Sequence, residues 1–247
     1  MMNKPELILR DWIDINKLNF NFLSYNTRAI DFLNNNPDKI CWFNISANPN
    51  AIEIIENNLN KIDDEILSQN KNALHLIRNI NFKLLSINPN AIEILLKNPE
   101  KIDWKLLLSN PNAIEILLKN PEKIDWKLLS SNPNAIKILL KNLEKIDWRI
   151  LSSNENAMDL LIKNPYNIDW NLFSSNPSAI EILKENQDKI DWISLSSNPA
   201  IFTYDYEKMR KNNLDFEEEL IKEVMKPSRL MKMIEKYGDE YLDILFG

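Results

Sequence analysis

The stretch NPEKIDWKLLLSNPNAIEILLKNPEKIDW, Asn98 to Trp126, holds the string NPEKIDW twice, the copies 22 residues apart. Self-similarity at a period of 20 to 50 residues is the mark of a repeat architecture. With the Asn of NPNAI as position 1, repeats start at Asn26, Asn48, Asn70, Asn88, Asn110, Asn132, Asn154 and Asn176. Seven have 22 residues. The Asn70 repeat has 18, because the four residues equivalent to NPEK are missing between Asn79 and Ile80. A half-repeat, LNFNFLSY (Leu18 to Tyr25), precedes the array. After Ser197 the pattern resumes as NPAIF, read as one residue short and out of register.

Within each repeat two segments have helical periodicity. In NPNAIEILLKN the apolar positions 4, 5, 7, 8 and 9 cover an arc of about 200° at 100° per residue, too wide for one core and suited to a helix held between neighbouring repeats. Asn at position 1 caps this helix, Pro at 2 fits its first turn, and Asn-Pro at 11–12 ends it with Asn in the left-handed conformation. The second segment, DWKLLSS, takes Asp at 16 as its cap and sets Trp at 17 on one face with Leu at 20. Strands are excluded because AIEILL does not alternate and Pro recurs beside each run.

These readings give an all-α fold: an α-solenoid of about eight 22-residue two-helix repeats with helical N- and C-terminal caps. Residues 1–25 are a capping helix (KPELILRDWIDINK) and half-repeat. Residues 26–199 are the array, and 200–247 are a C-terminal helical cap or docking module. At about 10 Å per repeat the array is expected to be an elongated body on the order of 80 Å long, each repeat touching only its neighbours.

Position 4 is Ala in all eight repeats, which predicts close helix approach there. Position 17 is aromatic in seven of eight, Asp64 being the exception. A Trp row can stack bases or sugars. Flanking Ile at 15 and Leu at 19–20 favour a hydrophobic ladder between repeats, with Asp64 marking a weaker joint. Lys recurs at positions 10, 14 and 18 and acids at 6, 13 and 16, the mixture of a solvated face rather than a phosphate track. Equivalent Asp residues about 10 Å apart cannot share one metal ion, whose oxygen ligands stand within about 2.6 Å. The Ser pairs before Asn-Pro read as turn chemistry.

Composition narrows function by exclusion. The net charge of −6 and pI near 5.1 make nucleic acid an improbable partner. There is no run of about 18 apolar residues, hence no membrane span. One cysteine, Cys41, and no secretory h-region give the expectation of an intracellular, unsecreted protein. Only two Gly and one His, His75, leave no phosphate loop, no triad and no His-ligated zinc. No enzyme activity and no cofactor are expected. The helices surfacing adjacent repeats are nearly copies, so a partner would be repetitive itself, or the array is a spacer. Specificity is expected where the repetition fails. Candidate partner-binding residues are Asp64, His75, Phe202, Tyr204, Tyr206 and the apolar tail residues Met225, Met231 and Met233.

The repeat resembles the tandem NPNAI-x-LL-x-x-N-x-x-KI-x-W-x-x-LS-x repeats of many proteins of giant and large double-stranded DNA viruses. The tail, FTYDYEKMRKNN to EELIKEVMKPSRLMKMIE (Phe202 to Glu235), is similar to the ending of those proteins. The resemblance implies a viral repeat protein, in host cytoplasm or virion, and implies no activity. The shortened Asn70 repeat and Asp64 depart from its pattern. Together these point to a non-enzymatic scaffold that binds another protein. The alternatives are a structural component of a virus particle or replication compartment, and a nucleic-acid or translation-related adaptor.

Overall fold

The structure is a computed structural model that describes residues 6–211, 222 and 231. The chain forms two bodies, Leu9–Thr203 and a smaller one of Met1–Ile8 with Tyr204–Gly247.

The larger body is an all-α solenoid built from the expected repeat. Asn at position 1 caps as anticipated: Asn110 Oδ1 accepts from the Asn112 amide at 2.9 Å. The following Pro-Asn-Ala is a short 3-10 turn, Pro111–Ala113, and the first α-helix begins only at Ile114. Asn at 11 ends that helix, though not in the left-handed region: Asn98 has φ −136° and ψ 57°. Its side chain instead donates back to the carbonyl four residues earlier (Asn98 Nδ2 to Ile94 O, 2.9 Å), which occupies an acceptor the helix end leaves open. The second helix is capped by Asp at 16, as where Asp103 Oδ1 accepts from Leu106 N at 3.0 Å. Alanine at position 4 is buried in all eight repeats, from Ala29 to Ala179.

The elongated shape is not what forms. The solenoid closes into a ring, and the closing contact is a ninth repeat divided between the chain ends. Asn198, Pro199, Ala200, Ile201 and Phe202 occupy positions 1 to 5 without loss of register, since Ala200 N bonds Asn198 Oδ1 and Ile201 N bonds Asn198 O, the bonds positions 3 and 4 make elsewhere. Ile201 fills the buried alanine place. Asp14–Tyr25 supplies positions 11 to 22: a 3-10 turn Ile15–Lys17 capped by Asp14, then the helix Phe20–Tyr25. The N-terminal segment is therefore not one amphipathic helix. Leu7–Leu9 is a strand, β1, that pairs with β2, Phe202–Tyr204. Tertiary pairing overrides the local helical pattern there.

Nine repeats sharing a full circle turn by about 40° each, and such small rotations set the curvature of a solenoid. The second helices of neighbours approach within 8 Å, including Phe20–Tyr25 against Trp192–Ser196 across the closure. The 3-10 turns that precede the first helices approach their neighbours within the same distance, as Pro89–Ala91 does Pro111–Ala113 and Pro111–Ala113 does Pro133–Ala135. Tyr25 is 48% accessible, and desolvation raises its hydroxyl above the ordinary value of 10.0.

In the smaller body, Tyr206 to Lys211 are helical. Lys208 Nζ bonds Glu6 Oε2, which raises the lysine's pKa. The Tyr204 and Tyr206 rings meet edge to face at 6.3 Å.

Candidate interaction surfaces of the ring

Three rows of side chains join the repeats, and what they leave exposed defines the surfaces available to a partner. The first row is asparagine. Each of nine buried position-1 residues, from Asn26 to Asn198, donates both amide hydrogens to backbone carbonyls of the two repeats before its own. One goes to the preceding Asn carbonyl at 2.8–3.0 Å. The other goes to the position-21 carbonyl at 2.8–3.1 Å. With Oδ1 engaged as a cap, these amides have no unmet donor. A buried polar group so satisfied stabilises, whereas a half-satisfied one is costly. Asn26 donates to Ser196 O and Asn198 O, so the ladder runs the whole circle.

The second row is the first serine of each pair. Ser130 Oγ donates to Trp126 O at 2.9 Å and accepts from the Asp147 amide of the next repeat at 3.1 Å. Eight of nine joints have this acceptor, the closing one through Asn19 N to Ser196 Oγ at 2.8 Å. Leu108 replaces it in the ninth. The serines therefore bind repeats together, beyond the turn role expected of them.

The third row is aromatic. The position-17 rings are half-buried between repeats, as a hydrophobic ladder requires. The lysines at position 14, expected to be solvated, lie over them instead. Lys39, Lys61, Lys101, Lys123, Lys145 and Lys189 each sit 4.4–5.9 Å from the ring centroid of the preceding repeat, and Lys17 sits 4.6 Å from Trp192 at the closure. Such ammonium–ring contacts contribute about 0.5–1 kcal/mol each at exposed sites. Open grooves run along these joints; one of about 550 Å³ is lined by Trp126, Lys145, Asp125 and Asp147.

At Asp64 the ring is absent and Arg78 bonds the carboxylate at 2.8 Å, so an exposed ion pair stands where other joints have the ammonium–ring contact. The Asn70 repeat keeps the asparagine and serine bonds. Its four missing residues come from the connection between its helices and leave those two rows intact.

The candidate partner residues fare differently. His75 is exposed, with Nε2 3.4 Å from Glu56 Oε1. Phe202 is only 2% accessible; as position 5 of the split repeat it is core, which removes it as a partner contact. Tyr204, Tyr206 and Met231 are exposed. Met225 and Met233 lie outside the described residues.

A surface that the sequence reading assigned to the interior is exposed. Position 9 was counted in the buried arc, yet Leu96, Leu118, Leu140 and Ile162 are 49–57% accessible. They stand at equivalent places on four consecutive first helices, beside the exposed lysines 97, 119, 141 and 163 at position 10. In the Asn88 repeat positions 4 and 8 are buried and 5 and 7 half-buried, and the last residue of NPNAIEILL is left outside. On second helices, Phe22 and Ile193 at the closure and Phe43 one repeat beyond it are likewise exposed.

Among the described residues no group of His, Cys, Asp and Glu is placed to hold a metal ion, and no helix is long and apolar enough to cross a membrane. No family model, curated protein or solved structure matches the chain.

Proposed function

We propose that this protein is a non-enzymatic interaction scaffold whose ring presents a row of apolar side chains to another protein. The observation that carries the reading is the row Leu96, Leu118, Leu140 and Ile162. Contiguous exposed apolar side chains on a folded protein commonly mark interaction sites, whereas single ones need no explanation. Four at equivalent places form a row, and the lysines beside them suit a partner whose apolar contact is edged by acidic groups. The Asn88 and Asn110 repeats differ at a single residue, Leu108 against Ser130, which fits a partner that meets several repeats in the same way. The viral setting enters this proposal through the repeat resemblance alone.

The test is affinity capture with the full chain and with a Leu118→Glu/Leu140→Glu variant, each with and without nuclease. Both substituted residues are exposed, so the ring is retained. The scaffold reading expects proteins held by the parent and released by the variant, indifferent to nuclease. Retention of nucleic acid through high salt by both chains would replace it with the adaptor reading.

A further inference from the structure

The joint between the Asn132 and Asn154 repeats differs from the others in a way that names its ligand. Seven of the nine position-17 places hold an aromatic ring with a lysine ammonium over it. The eighth, Asp64, takes a cation by ion pairing with Arg78. Only Trp148 has no cation among the described residues. Its lysine place is Asn167, whose short amide carries no charge. Position 13, glutamate in the three preceding repeats (Glu100, Glu122 and Glu144), is Tyr166, the most exposed large apolar side chain in the described chain at 101%. The same joint has thus lost its own cation and gained a free aromatic side chain.

We infer that the uncovered face of Trp148 is a recognition position for the ammonium group of a lysine side chain from a partner protein. The protein itself supplies the precedent. At the preceding joint the same groove accepts Lys145, whose Nζ is 4.4 Å from the Trp126 centroid, between Asp125 and Asp147. The Trp148 joint keeps the corresponding carboxylates, Asp147 and Asp169, and Asp169 is shared with Arg149 at 3.4 Å. An aromatic face with carboxylates beside it attracts a cation. A lysine matches the Lys145 precedent better than a compact ion, because its four-carbon stem can lie along apolar surface while the ammonium reaches the ring. Tyr166 stands next to Asn167 in the same 3-10 turn, Pro165–Asn167. The inference names one contact within the scaffold reading and rests on it only for the source of the lysine.

The site can be tested without any partner, so its failure is separate from a failed capture. Nα-acetyl-lysine methylamide is titrated into the full chain while the tryptophan indole NMR signals are followed, Trp148 being assigned through Trp148→Phe. Its neutral analogue, Nα-acetyl-norleucine methylamide, is run alongside. The Trp148 signal moves saturably with the lysine probe, about two- to fivefold more weakly with norleucine, and the lysine-covered Trp126 signal stays in place. In Asn167→Lys, which reproduces the arrangement of seven other joints and so folds, the response is lost. A Trp148 signal that ignores the lysine probe, follows norleucine equally, or responds unchanged in Asn167→Lys overturns the assignment.

Discussion

The closing seam and the internal joints make the same bonds from very different chain distances. Between the Asn110 and Asn132 repeats, Asn132 reaches carbonyls 22 and 24 residues away. At the seam, Asn26 reaches carbonyls 172 and 170 residues away. Geometry does not distinguish them: asparagine, serine and ammonium–ring contacts are all present at both. The seam adds links of its own. Arg10 Nε donates to Ala200 O at 2.8 Å and Arg28 Nη1 to Phe202 O at 3.2 Å. Close by in the chain, the buried Trp12 indole N–H has no hydrogen-bond partner among the described residues. Local joints assemble as the chain folds on itself, whereas the seam requires closure of nearly the whole ring, whose entropic cost grows only slowly with length. A ring is therefore a modest step beyond an open solenoid, and its seam is where opening starts.

The largest expected effect comes from the asparagine ladder. Asn110→Asp replaces two donated hydrogens with a carboxylate facing two carbonyls in a buried place, and is expected to destabilise by at least about 3 kcal/mol, read by denaturant unfolding. Asn26→Asp removes equivalent bonds at the seam. Its distinct signature is opening: a larger radius of gyration by X-ray scattering and faster hydrogen exchange at the Asn19 and Asn26 amides, with internal joints still protected. Uniform loss of protection in both variants would show that seam and joints are one cooperative unit.

Next in size, Ala113→Leu overfills a fully buried alanine place and is expected to cost about 1–3 kcal/mol. The seam already holds Ile201 at the equivalent place, so Ile201→Ala is the reciprocal change: it leaves a cavity and costs about 2–5 kcal/mol unless the seam collapses onto it. Equal tolerance of Leu at 113 and Ile at 201 would refute close packing along the alanine row. Ser130→Ala removes one donated and one accepted bond and is expected to lower stability by about 1–2 kcal/mol, checked by melting temperature. The smallest effect is at the exposed rings. Lys145→Ala uncovers Trp126 and is expected to cost about 0.5–1 kcal/mol, while Asn167→Lys gains a similar amount, each followed by tryptophan emission and unfolding midpoint.

Much of this was legible in the sequence. Asn-Pro punctuation, the Asp cap and the invariant alanine each act within one repeat or one interface, and local chemistry suffices to place them. The site was less legible. Leu96 and its equivalents look like core because periodicity reports an apolar arc without saying how much of it a neighbour covers. Phe202 looked like tail because NPAIF seems short; its backbone bonds show Ala200 in place of Asn. Trp148 stands out only once Lys145 is seen over Trp126, a pairing 19 residues apart that no helical spacing announces.

By itself the sequence determined the repeat, its two helices, their ends and the buried alanine row, because each depends on residues close in the chain. Only the tertiary structure decided that the solenoid closes, that the ninth repeat is shared between the chain ends, and that lysines cover rings across every joint but two. Those outcomes rest on a rotation of about 40° per repeat summed around a circle, and on carbonyls and rings belonging to the neighbouring repeat. A 22-residue pattern specifies the groups that can bond and leaves their partners to the fold.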